Sequence, residues 1–377
     1  MKITQRPELG KFMTFEHSKE KPIHGWFWYK EGYAPELVEY CLKDCQAKSV
    51  LDPFCGVGTT LLCAKENKIE SAGVDASTLA VFVSKTKTDD YDESDIENAL
   101  AFLSKKIGPG PDTRWEFELF DTRLAFPRRN HGEILALRHA IEQEEGRVRN
   151  LLLLALLSIL PQASLIMKDG GVLKLSKGKK ALPAKEIFKR RLKRIVSDLR
   201  SQVKGHAPEV FLGDARAMDI PGETFDSVIT SPPYLNNIDY SKIYGLELSL
   251  LSMSRAEAEQ VRLRAIRSFI GRDMKVSEMP PEVGDIGYKI PIAGTYFRDM
   301  EASFAEMLRV LRPRGSAYVV VSNSVIHDNH VIVDEIFAEM ATRIGFSDAE
   351  IVIGAERIAH VRPQMVHTRE SIVVMRK

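Results

Sequence analysis

The architecture of this chain follows from Ser49-Val50-Leu51-Asp52-Pro53-Phe54-Cys55-Gly56-Val57-Gly58-Thr59-Thr60. Its first three residues predict a short strand, and the apolar residues after Thr60 predict a helix. A strand, a glycine turn and a helix in succession are typical of a mononucleotide-type binding unit in an α/β sheet. Gly56 and Gly58 carry no Cβ and let the backbone approach a ligand closely, while the first N–H groups of the helix can bind a carboxylate.

Two acidic residues strengthen the prediction of a ligand site at this glycine turn. Asp52 ends the first predicted strand, where a carboxylate can pair with an ammonium group. Asp75 ends the next apolar stretch, 71–74, and an acidic residue roughly twenty positions after the turn can bind both ribose hydroxyls. A nucleotide-triphosphate loop is excluded because the Gly-Lys-Ser/Thr ending is missing, and an NAD site is disfavoured because the third glycine is absent.

A second loop with a distinct chemistry is Ser231-Pro232-Pro233-Tyr234, which follows an apolar stretch at 227–230. Two consecutive prolines cannot extend a central strand because neither has an N–H group to donate. The tetrapeptide is therefore predicted to be a stiff loop at the carboxyl end of a strand, the edge at which α/β sheets bind ligands. Its hydroxyl, tertiary amides and aromatic ring suit a flat base with an exocyclic amino group. The alternative is a proline-rich turn with an incidental tyrosine.

The strand pattern also appears at 210–212 and runs into Asp214 and Ala215. Asp214 is the third acidic residue at a predicted strand end, and it could accept a hydrogen bond from an adenine amino group. Strands alternate with helices at both ends of the chain, and helical patterns fill the region between 91 and 205. This arrangement predicts a mostly parallel α/β sheet with a helical insert.

The insert carries the most one-sided charge of the chain. A basic run between 177 and 194 is usually a solvated helix face, but we favour a surface that tracks the phosphates of DNA. The residues expected to bind nucleic acid are Lys179, Lys180, Lys189, Arg190, Arg191 and Arg194. A second candidate for DNA contact is the region 254–298, which contains Arg255, Arg262, Arg264, Arg267, Arg272 and Lys275.

The overall composition narrows the class of protein. The chain has 377 residues, of which 44% are hydrophobic and 28% charged, with a net charge of +1, as expected for a soluble globular protein. Its four cysteines are too few for a disulfide scaffold and favour a reducing compartment, so we expect a cytoplasmic protein. No signal peptide or membrane span is evident, and we expect neither a membrane partner nor a bound metal.

Taken together, these residues resemble the site-specific DNA amino-methyltransferases, which methylate cytosine N4 or adenine N6 with S-adenosylmethionine. The stretch 52–60 matches their cofactor motif and 231–234 matches their catalytic motif. Tyr33-Ala34-Pro35-Glu36-Leu37-Val38 is similar to an extra cofactor motif of these enzymes. The resemblance covers about residues 20–90 and 206–377.

The resemblance implies a Rossmann-like, seven-stranded sheet with a reversed hairpin at its end. Residues 1–90 and 206–377 would form the catalytic domain, and 91–205 would be the insert that recognises the DNA target. The methionine part of the cofactor would lie against Asp52, Phe54, Gly56, Gly58, Thr59 and Thr60. Asp75 would hold the ribose, and Asp214 with Ala215 would meet the adenine. Double-stranded DNA would be the substrate, and a cognate restriction endonuclease would be a partner in the cell.

Catalysis would fall to Ser231, Pro232, Pro233 and Tyr234, which would hold a base flipped out of the duplex. Serine at the first of these positions, in place of aspartate, favours the cytosine-N4 branch, with adenine N6 as the alternative. RNA amino-methyltransferases such as the tRNA guanine-N2 enzymes share both loops, usually with aspartate before the prolines. A non-catalytic nucleic-acid-binding module is a further alternative. A cytosine carbon-5 enzyme is excluded, because no cysteine follows a proline.

Overall fold

The computed structural model describes residues 2–110, 115–169, 171–176, 178–236, 238–254, 256–268, 279–326, 328–361 and 364–377. Its strands are β1 Lys2–Gln5, β2 Ser49–Asp52, β3 Glu70–Asp75, β4 Ile166–Asp169, β5 Val172–Leu175, β6 Glu209–Leu212, β7 Phe225–Thr230, β8 Leu311–Ser322, β9 Ser324–Ile326, β10 Asn329–Val331, β11 Asp348–Val361 and β12 Gln364–Arg376.

The helices lie mainly between these strands and in the insert. They are α1 Pro35–Cys45, α2 Thr59–Glu66, α3 Thr78–Thr88, α4 Glu93–Phe102, α5 Thr122–Ala125, α6 Arg128–Ile141, α7 Gly146–Ala163, α8 Ala184–Leu199, α9 Tyr240–Ile243, α10 Gly245–Ser252, α11 Glu257–Arg264, α12 Gly284–Lys289, α13 Pro291–Val310 and α14 Val333–Ile344. Short 3-10 turns occur at Pro7–Phe12, Phe15–Ser18, His24–Trp26 and Pro281–Val283.

The central sheet has eight strands in the order β1-β11-β12-β8-β7-β2-β3-β6. Only β12 runs against its neighbours, and the other pairings are parallel. The predicted α/β class and mostly parallel sheet are confirmed, but the predicted strand number of seven is wrong. The eighth strand is β1, which pairs with β11 at the sheet edge. It is largely exposed, so its backbone pairing leaves little apolar pattern in the sequence.

The strands at the centre of the sheet are covered on both faces. In β2 and β7, Val50, Leu51 and Val228 are fully buried, and β8 contributes a continuous buried run from 315 to 321. Strands buried on both faces read as unbroken apolar runs rather than alternating ones. This is why the sequence marks these three strands clearly.

The position of the site follows from the pairing of β2 with β7. These strands are parallel neighbours, with Val50 opposite Ser227 and Leu51 opposite Val228. Parallel neighbours end at the same edge of the sheet, so the glycine turn after β2 and the double-proline loop after β7 emerge side by side. Two loops more than 170 residues apart in the sequence are thereby brought together.

The insert is built around α7, a helix that is apolar on every side. Its residues 151–157 are all buried, as expected of a helix enclosed by others. Helices α4, α6 and α8 of the insert pack on it, and so do α3 and α10 from the regions before and after the insert. The insert therefore shares one hydrophobic cluster with the helices α2, α3 and α10.

Candidate active site

A cavity of about 650 Å³ opens at the carboxyl ends of the strands, between the glycine turn and the double-proline loop. Pockets of this size enclose ligands of cofactor size. Most residues predicted for the cofactor and for catalysis line it: Asp52, Phe54, Gly56, Thr59, Asp75, Asp214, Ala215, Ser231, Pro232, Pro233 and Tyr234. The two predicted residues that are not in the lining are Gly58 and Thr60.

Asp52 joins the two loops directly. Its Oδ1 accepts a hydrogen bond of 2.6 Å from the hydroxyl of Thr230, the last residue of β7 and the neighbour of Ser231. The same oxygen accepts from the backbone N–H of Phe54 at 3.1 Å. Asp52 is only 2% exposed, and burial raises the pKa of its carboxyl group while these donors oppose the shift. Asp52 therefore links the cofactor loop to the catalytic loop through buried hydrogen bonds.

Thr60 lies behind the cavity wall and does not line the cavity itself. Its hydroxyl bonds to the hydroxyl of Tyr33, which also donates to Asp52 Oδ2 at 3.2 Å. Thr60 reaches the backbone oxygen of Ile229 in β7 as well, at 3.4 Å. Tyr33 lies in the predicted extra cofactor motif and lines the cavity. This network fixes the start of α2 against the catalytic strand.

Asp75 closes the glycine turn from the next strand. Its Oδ2 accepts from the backbone N–H of Gly56 and its Oδ1 from that of Ser77, both at 2.8 Å. Burial raises the pKa of this carboxyl group to about 6, and the two backbone donors act in the opposite direction. A carboxylate at the end of the second strand, facing the cavity, fits the binding of two vicinal hydroxyls.

The glycine turn needs its glycines for two different reasons. Gly58 has φ +76°, and a Cβ there would lie 2.4 Å from the Ser84 hydroxyl, so the turn could not pack against α3 with any side chain. Gly56 has φ +49° and faces the ring of Tyr29 across the cavity wall. At Gly56 the left-handed φ, rather than a lack of space, is what favours glycine.

Asp214 lines the cavity but its carboxylate is already engaged. Arg216 donates to both oxygens from Nε and Nη2 at 2.6 to 3.1 Å, and it also pairs with Asp299 at 3.1 Å. The sequence suggested an acceptor for an adenine amino group at Asp214. The structure places it in the cavity beside Ala215, held in one orientation by the guanidinium.

The double-proline loop presents Tyr234 to the cavity from β7. Its hydroxyl donates to Glu370 Oε1 at 3.3 Å, and Arg357 Nη2 donates to Glu370 Oε2 at 3.1 Å. Burial raises the pKa of Glu370, which the Arg357 charge opposes. The sequence analysis assigned no role to Glu370, because a single acidic residue inside a strand gives no motif.

The aromatic residues before the extra motif divide into two groups. Trp26 and Phe27 are buried in the hydrophobic core. Tyr29 lines the cavity and stacks on Tyr244, with ring centroids 4.5 Å apart. The aromatic segment is therefore partly core and partly cavity wall.

The basic run is not placed in the cavity, and half of it is bonded within the chain. Lys179 donates to the backbone oxygens of Pro161 and Ile166. Arg191 reaches the Gly25 oxygen at 3.5 Å, and Arg194 pairs with Glu20 at 3.1 Å. The residues of the predicted set with exposed side chains and no ion pair in the described part of the chain are Lys180, Lys189 and Arg190.

The second DNA candidate, 254–298, is also divided. Arg262 pairs with Asp239 and Glu118, whereas Arg264 lines the cavity. Arg255, Arg272 and Lys275 lie outside the described residues.

Among the residues that the structure does describe, no cluster of His, Cys, Asp and Glu could hold a metal ion. Its described helices include none that is long and apolar enough to cross a membrane.

Comparisons with known proteins found relatives among the Type II methyltransferases. The chain is 25% identical over 449 aligned residues to Type II methyltransferase M.BsoBI from Geobacillus stearothermophilus, covering 97% of this chain and 88% of that one. It is 26% identical to Type II methyltransferase M.AvaI from a Nostoc species, covering 91% and 83%. A solved SAM-dependent methyltransferase from Methanosarcina mazei covers 87% of this chain and 92% of its own, at 9% identity and a TM-score of 0.30.

No protein-family model matches the chain. The similarity to the Type II methyltransferases extends along most of its length, so it includes both loops of the cavity. It confirms the resemblance drawn from the two motifs. By this similarity, S-adenosylmethionine is the cofactor that the cavity would bind.

Proposed function

We propose that this relative of the Type II methyltransferases transfers a methyl group to the exocyclic amino group of a base flipped out of double-stranded DNA, with cytosine N4 as the favoured acceptor. The observation that carries the proposal is the shared cavity. The cofactor loop and the double-proline loop line one space, and Asp52 ties them together through Thr230 at 2.6 Å. A methyl donor in the first loop and an acceptor in the second would meet there.

The catalytic loop would position the acceptor nitrogen. An exocyclic amino group is a weak nucleophile because its lone pair is delocalised into the ring. The Ser231 hydroxyl and the Pro232 carbonyl can accept its two N–H bonds, while Tyr234 stacks on the ring. Both acceptors sit in a loop that the two prolines stiffen. Bound S-adenosylmethionine supplies the electrophilic methyl group. The contribution of the chain would be orientation and electrostatics, without a covalent intermediate.

The cofactor loop would position the donor. Asp75, Gly56 and Thr59 line the cavity on the side of α2 and β3, and Asp75 would bind the ribose hydroxyls. Phe54 would lie against the methionine part of the cofactor, and Asp214 with Ala215 would meet its adenine. Asp52, Gly58 and Thr60 would act indirectly, by holding the loop in this conformation.

The choice of base rests on Ser231. A serine hydroxyl at the first catalytic position is neutral, and by resemblance it favours cytosine N4 over adenine N6. Adenine N6 is the second candidate, since some adenine enzymes also carry serine there. The insert at 91–205 would supply target recognition, and a cognate restriction endonuclease would be the partner in the cell.

The test is methylation of mixed-sequence duplex DNA by the purified protein, followed by single-molecule sequencing that reads the modified base and its context together. We expect N4-methylcytosine within one short sequence, and no product from the Tyr234→Ala variant. Detection of N6-methyladenine instead would support the second candidate, adenine, over cytosine. The absence of any modified base from duplex DNA, with transfer to RNA instead, would refute the proposal.

A further inference from the structure

The last two strands extend well beyond the sheet that they complete. Strand β12 pairs with β8 only from Glu370 to Arg376, and β1 pairs with β11 only as far as Ile353. The hairpin continues through six further residue pairs, from Glu356↔Arg369 to Val361↔Gln364. At about 3.4 Å per residue this two-stranded ribbon projects roughly 20 Å. We call residues 356–361 and 364–369 the ribbon.

The ribbon begins at the wall of the active-site cavity. Arg357 and Thr368, which are cross-strand partners, both line that cavity. Arg357 donates to Glu370, and Glu370 accepts from Tyr234. Two hydrogen bonds therefore connect the base of the ribbon to the tyrosine of the catalytic loop. The base of the ribbon is therefore part of the wall of the cavity that Tyr234 lines.

The ribbon exposes side chains on both of its faces. Side chains of directly paired residues lie on the same face and alternate along each strand. One face carries Arg357, whose side chain is 62% exposed. The other carries Ile358 and Met365, which are 59% and 67% exposed, together with the exposed His367. Ile358 and Met365 are diagonal cross-strand neighbours, so they form one small exposed apolar patch on this face.

The charge of the ribbon is mostly positive. It contains Arg357, Arg369, His360 and His367, and its acidic residue is Glu356. Arg369 is held by Asp334 and Glu335 at the base, whereas Arg357 keeps most of its side chain in solvent. A chain of net charge +1 thus places a mainly basic strand pair at the mouth of its cavity.

We propose that the ribbon is a DNA-binding arm that enters a groove of the duplex next to the base being methylated. The inference rests on the proposed function and adds a contact that lies outside both the insert and the region 254–298. A two-stranded ribbon fits the major groove, which is about 12 Å wide, and there it meets both groove walls at once. Side chains on two faces suit such a site, with Arg357 towards phosphate and Ile358 and Met365 towards base edges.

The test compares the double variant Ile358→Ser/Met365→Ser with a matched control, Ile3→Ser/Val203→Ser. The control removes two aliphatic side chains of similar exposure, 46% and 43%, from sites that do not line the cavity. The probe is a fluorescent mixed-sequence duplex, and methyl incorporation into plasmid DNA gives KM and kcat. We expect the ribbon variant to bind the duplex about tenfold more weakly, with the loss in KM rather than kcat, and the control to match the wild type.

Two results would overturn the inference. One is a ribbon variant that binds the duplex as tightly as the control does. The other is self-association of the wild type, seen by sedimentation velocity and lost in the ribbon variant, because the apolar face would then belong to a second copy of this chain. A wild-type protein that neither binds nor methylates duplex DNA would instead refute the proposed function, so the two failures are distinguishable. His367→Glu, which adds a negative charge at an exposed position, should reproduce the weaker binding.

Discussion

Replacement of Thr230 by valine should damage both the stability and the chemistry of the protein. The Thr230 hydroxyl donates to Asp52 Oδ1 at 2.6 Å, and both residues are buried. Valine keeps the shape of threonine and removes only the donor. Asp52 would then retain the Phe54 N–H and the Tyr33 hydroxyl as donors, and the bond between the two loops would be lost.

The structure sets the size of the expected effect. A buried hydrogen bond to a charged group contributes about 1.5–3 kcal/mol, so we expect a loss of about 2 kcal/mol in the free energy of unfolding. For a chain of 377 residues, an unfolding entropy of about 2 cal/mol/K per residue converts this loss into a fall in Tm of about 2–3 °C. Because the bond positions the residue next to Ser231, kcat should fall by at least about tenfold.

The measurements are thermal unfolding and methyl transfer to duplex DNA, with Thr230→Ser as the matched control. Serine keeps the hydroxyl and removes a methyl group, so the control should lose some stability but retain most of its kcat. The reasoning fails if Thr230→Val has a wild-type kcat, or if serine lowers kcat as much as valine does. Either result would show that the contact between the two loops does not depend on this bond.

Three further predictions address the other parts of the site. Tyr234→Phe keeps the stacking ring and should lower kcat only about fivefold. Tyr234→Ala removes the ring and should lower kcat at least about a hundredfold, with cofactor binding unchanged by calorimetry. Equal losses of kcat in the two variants would contradict a stacking role. Because the pKa of Asp75 is about 6, its carboxylate is ionised above pH 6 and protonated below, so cofactor affinity measured by calorimetry should fall as pH drops from 7 to 5. A flat profile would exclude Asp75 as the ribose acceptor, and Asp75→Asn should give such a profile at about tenfold or more lower affinity. The third variant carries glutamate at Lys180, Lys189 and Arg190, the exposed basic residues of the insert. It should lower the slope of log Kd against log salt concentration for duplex DNA by about 2.7. An unchanged slope would show that these residues do not contact phosphate.

The parts of the site that the sequence predicted are those specified by local chemistry. Two prolines stop a strand wherever they occur, and Gly58 adopts a left-handed conformation that other residues avoid. The ends of β2, β3 and β7 could therefore be located, and Asp52, Asp75 and Ser231 could be assigned to one sheet edge before any coordinates were known. The strand number was wrong because the exposed strand β1 is held by backbone pairing, which has no side-chain signature.

The functions of several predicted residues depended instead on contacts between distant segments. Asp52 faces Thr230 rather than open solvent, and Arg216 occupies the carboxylate of Asp214. Lys179, which reads as a DNA-binding residue in a basic run, is bonded to the backbone of its own insert. A sequence shows the type of each side chain but not its partner.

The sequence by itself predicted the α/β class and the two loops, because glycine, proline and buried apolar runs act on the backbone within a few residues. The cofactor followed from the resemblance of the two loops to methyltransferase motifs. Only the tertiary structure decided that β2 lies beside β7, that Glu370 meets Tyr234 and that the last hairpin projects past the sheet. These features depend on strand register and on hydrogen bonds across more than 130 residues of chain. Such contacts leave no periodic pattern in the sequence, since their free energy comes from the folded arrangement and not from the local segment.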